Sequence, residues 1–223
     1  MGKSSGIDIE KCMKALSKKR PVFYSESDFK FSLAQEIRDL YPKSQVILEL
    51  PYESELPGEE SKRRHLDILV NLGTQEIPIE LKYKTGHLLC PGPDGAVHEL
   101  KNHSAVDLGR YDCLKDVRRI ECLSGKLSGF SKGYAVCLTN EPAYWKVPGK
   151  KVVANDAAFR IHEGATAKGR MRWQDETKPS VTKDRKDKIE LKGAYPITWQ
   201  TYSEVDADGK GLFKYAVVKV EAI

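Results

Sequence analysis

Apolar and polar positions recur along this chain with two different periods, and the switches between them mark out its elements. Ile9, Cys12, Met13 and Leu16 follow helical spacing. Lys18-Lys19-Arg20 then match the negative end of the helix dipole ahead of Pro21. A second helix is expected from about Ser25 to Tyr41, with Phe29, Leu33, Ile37 and Leu40 as its buried stripe and Ser25 and Asp28 at capping-box spacing. Gln45–Leu50 reads as a strand stopped by Pro51. From Arg63 to Lys84 the period becomes two, in two runs either side of Leu72-Gly73-Thr74-Gln75. Helical spacing returns over Ser104–Leu123 through Leu114, Val117, Ile120 and Leu123, and Gly133–Asn140 is an apolar strand of the kind covered on both faces.

The remaining stretches are less regular. Thr85–His103 is rich in Gly and Pro and reads as a lid or substrate-contacting arm. It holds His87, His98, His103 and Cys90, at no familiar zinc spacing. Glu163–Lys188 has no periodicity and reads as a loop or linker. Within it, Arg170, Arg172 and Trp173 interleave base and aromatic as single-stranded nucleic acid binders do. Two last strands, Ile189–Tyr202 and Leu212–Glu221, are expected around a turn at Asp206-Ala207-Asp208-Gly209, extending the core sheet or packing on it.

Folding the Arg63–Lys84 run about Gly73–Thr74 gives a register that can be checked on both faces. Leu66 meets Leu81, Ile68 meets Ile79 and Val70 meets Ile77. On the other face Asp67 meets Glu80 and His65 meets Lys82, with Leu69 and Pro78 among them. Opposed side chains lie roughly 4.5–5.5 Å apart at Cβ. Two carboxylates and an ammonium therefore gather on one side of the hairpin, the outline of a metal site. A solvated, salt-bridged face produces the same pattern, so the residues alone leave both readings open.

Composition narrows the class. The chain has 223 residues, 40% apolar and 31% charged, which suits one well-buried domain with additions. No run approaches a membrane span, and the first residues lack the apolar core of a secretion signal. Five cysteines, an odd number without a CxxC spacing, fit a reducing cytoplasm better than a disulfide framework; Cys113, Cys122 and Cys137 read as small core residues. A net charge of +5 is compatible with nucleic acid without pointing to it. There is no GxxxxGK[ST], no GxSxG and no HExxH.

Asp67 followed across a turn by Glu80-Leu81-Lys82 resembles the signature of the PD-(D/E)xK nuclease superfamily, although His65-Leu66 stand where a Pro often precedes the first acid. The order of elements from about Ser27 to Asn140 is similar to that superfamily's αβββαβ core, a restriction endonuclease-like α/β fold with a mixed central sheet. The resemblance divides the chain into an N-terminal helical segment (1–26), a nuclease-like core (27–145) and a C-terminal β extension packed on the same domain (146–223). It implies a Mg²⁺-dependent DNA endonuclease, with Mn²⁺ able to substitute. Asp67, Glu80 and the Leu81 carbonyl would hold the ion, and Lys82 would stabilise the transition state. Glu36, at the margin of the second helix's stripe, is carried over as an extra metal ligand or water-orienting group; an amphipathic-border glutamate is the other reading. Arg110 and Tyr111, with His65 beside the signature, are the candidate substrate contacts; since Asp112, Asp116 and Glu121 dilute the positive charge of that helix, an ordinary solvated face is the other reading. DNA and a second copy of the chain are the implied partners. The rival from another class is a nucleic-acid-binding module that keeps the fold without turnover.

Overall fold

The structure is a computed structural model describing residues 6–54, 62–91, 95–149, 154–205 and 210–222. The two expected N-terminal helices form as α1 (Ile9–Lys19) and α2 (Glu26–Leu40). Asp8 caps the first by accepting the Lys11 N–H, and Ser25 caps the second by accepting the Asp28 N–H at 3.1 Å. Both end on cationic last turns.

Three strands follow: β1 (Gln45–Ser54), β2 (Lys62–Leu72) and β3 (Gln75–Lys84). Gly73 opens the two-residue β2–β3 turn at φ +63°, the left-handed value such hairpins need. A small second hairpin, β4 (Leu88–Pro91) and β5 (Val97–Leu100), leads to the long helix α3 (Val106–Ser124) and to β6 (Lys132–Thr139). Beyond these lie β7 (Thr166–Met171), a short helix α4 (Pro179–Thr182), β8 (Ile189–Pro196), β9 (Trp199–Glu204) and β10 (Leu212–Glu221). The main sheet is mixed, in the order β1-β2-β3-β6-β10-β9, with β3 and β6 its parallel neighbours. The protein is thus an α/β protein in which β9 and β10 extend the central sheet.

The sheet is covered on both faces. Ile68, Val70, Ile77, Ile79 and Leu81 pack with α1 and α2, while Leu69, Ala135 and Cys137 pack with α3. That second cover explains why Leu69 and Pro78 share a face with charged residues: the face lies under a helix, not in water. Each fully buried aliphatic side chain contributes about 1.5–3 kcal/mol.

Several sequence expectations are corrected. Pro51 does not end β1, because β1 is an edge strand whose outer side needs no N–H there. The Thr85–His103 stretch contains the β4–β5 hairpin, since Leu88, Cys90, His98 and Leu100 alternate inward. Glu163–Lys188 contains β7, paired with β8. Ile189–Tyr202 is two strands in two sheets. Trp173 is buried, its indole N–H donating to the Arg185 carbonyl and its ring against Tyr111 and Phe159, so it presents no stacking platform. Cys113 and Cys137 are core, but Cys122 is only half-buried. The Asp206–Gly209 turn and most of the charged Glu53–Lys62 connection lie outside the described residues. Among the described residues no helix is long and apolar enough to cross a membrane.

Candidate active site

The β2–β3 ladder runs in the expected register from Leu72↔Gln75 to Ile68↔Ile79 and then stops. One position further the strands part, and the Asp67 carboxylate fills the gap by accepting the Leu81 N–H at 2.8 Å. The β1–β2 ladder is interrupted at the same level. Leu48↔Ile68 is followed by Leu50↔Leu66, and Glu49, opposite Asp67, takes φ +52°, a strained value for a non-glycine residue. This irregularity alters the face that Leu66 presents, and Leu66 packs on the α3 side rather than with Ile68 and Val70.

Glu80 and Lys82 alternate with Ile79, Leu81 and Tyr83 on β3 and so lie under α3, where Asp116 and Arg119 meet them. The Lys82 ammonium is 2.9 Å from Asp116 Oδ2, donates to the Leu81 carbonyl at 2.9 Å, and is 3.9 Å from Glu26. Arg119 binds Asp116 Oδ1 at 2.8 Å and reaches Glu80 only at 3.9 Å. From the other side, Lys30 of α2 donates to Asp67 Oδ1 at 2.7 Å and also pairs with Glu49. The signature residues Asp67, Glu80 and Lys82 are therefore brought into one electrostatic cluster, joined by Lys30, Asp116 and Arg119.

Protonation follows from burial and charge. Burial pushes the Glu80 carboxyl well above the ordinary glutamate value, and the Asp116 charge adds to this against the opposing Arg119. Burial also raises Asp116, with Lys82 and Arg119 offsetting part of the rise. At Asp67 burial acts in the same direction, but the hydrogen bonds from Lys30 and the Leu81 amide outweigh it and hold that carboxyl below its usual value. Burial opposes the Lys82 charge, yet Asp116 and Glu26 hold it above the ordinary lysine range. A lysine so held is a fixed cation and not a proton acceptor.

The acids here are Asp67, Glu80 and Asp116, with Glu26 and Glu49 at the edge of the cluster, and the cations are Lys30, Lys82 and Arg119, so a positive group already stands against each of the three central carboxyls. Among the described residues no three His, Cys, Asp or Glu side chains converge as a ready-made metal cage. The donor set still suits a hard ion at one point: Glu80 Oε1 is buried and has no hydrogen-bond partner among the described residues. Asp67 and Glu80 are the residues that would hold such an ion, and Lys30, on Asp67 Oδ1 and already paired with Glu49, would compete with it for Asp67. The Leu81 carbonyl, expected as a ligand, is occupied by Lys82.

The remaining expected site residues lie elsewhere. Glu36 is buried against α1 in an ion pair with Lys19 at 2.6 Å. At 100° per residue it is turned about 120° round α2 from Lys30, the residue that does face Asp67. Arg110 is 5% exposed and is spent on Asp156 and on the Ala143 carbonyl, and Tyr111 is wholly buried against Phe159 and Trp173. Neither is presented for phosphate contact, because the C-terminal segment packs over that part of α3. His65 is exposed on β2, paired in the ladder with Pro51 of β1. Asp116 and Lys30 were missed by sequence reasoning, although Asp116 is three residues from Cys113 and four from Ile120, squarely in the buried stripe of α3.

No family model matches this chain, and no curated protein or solved structure matches it either.

Proposed function

We propose that this protein is a Mg²⁺-dependent phosphodiesterase acting on DNA, with the restriction endonuclease-like fold and a PD-(D/E)xK-type site. The observation that carries this reading is the frayed end of the β2–β3 hairpin. There Asp67 takes the Leu81 amide while Glu80 and Lys82 turn inward together, one carboxylate oxygen of Glu80 left without a partner among the described residues. The succession α2, β1, β2, β3, α3, β6, interrupted only by the small β4–β5 hairpin after β3, with β3 and β6 parallel at the centre of the sheet, supports the same reading.

Asp67 and Glu80 are the residues that would hold the ion. When bound it supplies Lewis-acid charge for the phosphoryl oxygens and acidifies a water. Lys82, fixed by Asp116, supplies positive charge where the phosphate oxygens gain negative charge. Arg119 keeps Asp116 in place from the adjacent turn of α3. The test is cleavage of duplex DNA by the purified chain with Mg²⁺ or Mn²⁺, beside Asp67→Asn. Cleavage by the native chain alone supports the reading, and none under any divalent ion removes it.

The second reading, a nucleic-acid-binding module without turnover, is favoured by one observation: Lys30 already neutralises Asp67. A gel-shift without cleavage in the same preparation would select it.

A further inference from the structure

Two adjoining depressions lie at the far end of β3, one of about 410 Å³ and one of about 310 Å³, and Lys84 and His103 line both. The first also carries Glu26, whose carboxylate accepts the Tyr83 N–H and stands 3.9 Å from Lys82, so the depressions begin beside the candidate active site. Lys84 is two residues beyond Lys82 on the same face of β3, a rise of about 6.7 Å. Lys101 lines the first depression and Lys183 the second. None of Lys84, Lys101 and Lys183 forms an ion pair with a described residue, whereas Lys19, Lys30, Lys82 and Lys210 all do.

The frame that carries these cations is fixed. The Thr85 hydroxyl donates to the Lys101 carbonyl at 2.7 Å, and the His103 N–H donates to the Thr85 carbonyl at 2.7 Å. The Thr85 N–H donates to His103 Nδ1 at 3.0 Å, which places the proton of the neutral ring on Nε2 as a donor. Burial and then the charge of Lys84 hold His103 below its ordinary value. The second depression is completed by Asn102, Ser104 and the start of α3 at Ala105, where no side chain caps the helix and its dipole favours an anion. Arg185 lines it too but is committed to Asp112 through Nε and Nη2.

We infer that Lys84, Lys101, His103 and Lys183 form a track for the phosphodiester backbone of DNA, leading away from Lys82 toward the start of α3. The inference rests on the proposed nuclease reading and deepens it by assigning the substrate's path. Contacts of this kind position the strand and carry no base specificity.

The test is binding of a fluorescein-labelled 20-base-pair duplex in EDTA, which keeps the metal site out of the measurement, across a series of salt concentrations. Each lysine that neutralises a phosphate contributes about 0.9 to the slope of log K against log salt. The triple variant Lys84→Ala, Lys101→Ala, Lys183→Ala should lower that slope by about 2–3, equally for two unrelated sequences, and Lys14→Ala on α1 should leave it unchanged. All four side chains are half-buried or exposed, so an unaltered melting midpoint verifies the fold. A native slope in the triple variant overturns the track, as does a loss confined to inorganic phosphate. If the native chain cleaves DNA and the triple variant keeps its slope, the track alone fails. If the native chain neither binds nor cleaves DNA, the nuclease reading fails with it.

Discussion

Glu80 and Glu121 are buried to nearly the same degree on the same side of the central sheet, and the protein treats them in opposite ways. Glu121, near the end of α3, accepts the amides of Lys192 and Gly193 and the Tyr195 hydroxyl on a single oxygen, while Arg118 approaches the other at 3.3 Å. Among the described residues Glu80 has only a 3.9 Å approach from Arg119, and its Oε1 has no partner. A buried carboxylate given a full set of donors ties elements together; here Glu121 fastens β8 to α3. A buried carboxylate left short of donors destabilises the fold that contains it, and it belongs where something else binds.

The largest expected effect separates the two as structure and function. Glu121→Ala strands four donors and should cost about 3–5 kcal/mol in urea unfolding. Glu80→Gln should cost less than about 1 kcal/mol while abolishing cleavage; equal losses of stability would erase the distinction. Next, Lys82→Ala should lower cleavage at least about 10²–10³-fold, as the removal of a fixed positive donor does. Mn²⁺ binding measured by calorimetry should remain, and its disappearance would make Lys82 a structural partner only.

A smaller effect concerns Lys30. Its hydrogen bonds to Asp67 and Glu49 outweigh burial and keep it charged, so it competes with any metal for Asp67. Lys30→Met should tighten Mn²⁺ binding about tenfold, roughly 1.4 kcal/mol. Unchanged or weaker binding would place the ion away from Asp67.

The smallest is a slope. Because the folded pKa of Glu80 is raised, the folded state binds more protons than the unfolded chain once the pH exceeds the ordinary value of 4.5. Stability from this group is fully present below that pH and falls as pH rises through the folded value. Asp116 acts with the same sign and Asp67 with the opposite one. Denaturant midpoints from pH 4 upward should therefore decline less steeply in Glu80→Gln than in the native chain.

Much of this arrangement was legible in the order of residues. Period-two alternation with Gly73 at the bend gives the hairpin register, and with it the sharing of one face by Glu80 and Lys82. What pattern alone does not reveal is which helix covers that face. The charged side of β3 reads as solvated because Asp, Glu and Lys usually are, and only the three-dimensional path of α3 turns it into an interior. The same blindness applies to Arg110, Tyr111 and Trp173, whose partners Asp156, Phe159 and Arg185 come from beyond the core strands, in stretches whose pattern predicts no packing against α3. Glu36, at the margin of its helix's apolar stripe, and Asp116, within its own, are both buried carboxylates. Their partners, Lys19 in one and Lys82 in the other, decide their roles.

The parallel contact between β3 and β6 has a consequence for how the molecule comes into being. β3 ends at Lys84 and β6 starts at Lys132, so the whole β4–β5 hairpin and α3 must be made before these two strands can join. On the ribosome the hairpin bearing Asp67 and Glu80 emerges well ahead of α3 and of the strand on which α3 rests. A nascent chain halted before Lys132 lacks that strand, so any reactivity of this cluster waits for the closure of a strand pairing between distant parts of the chain.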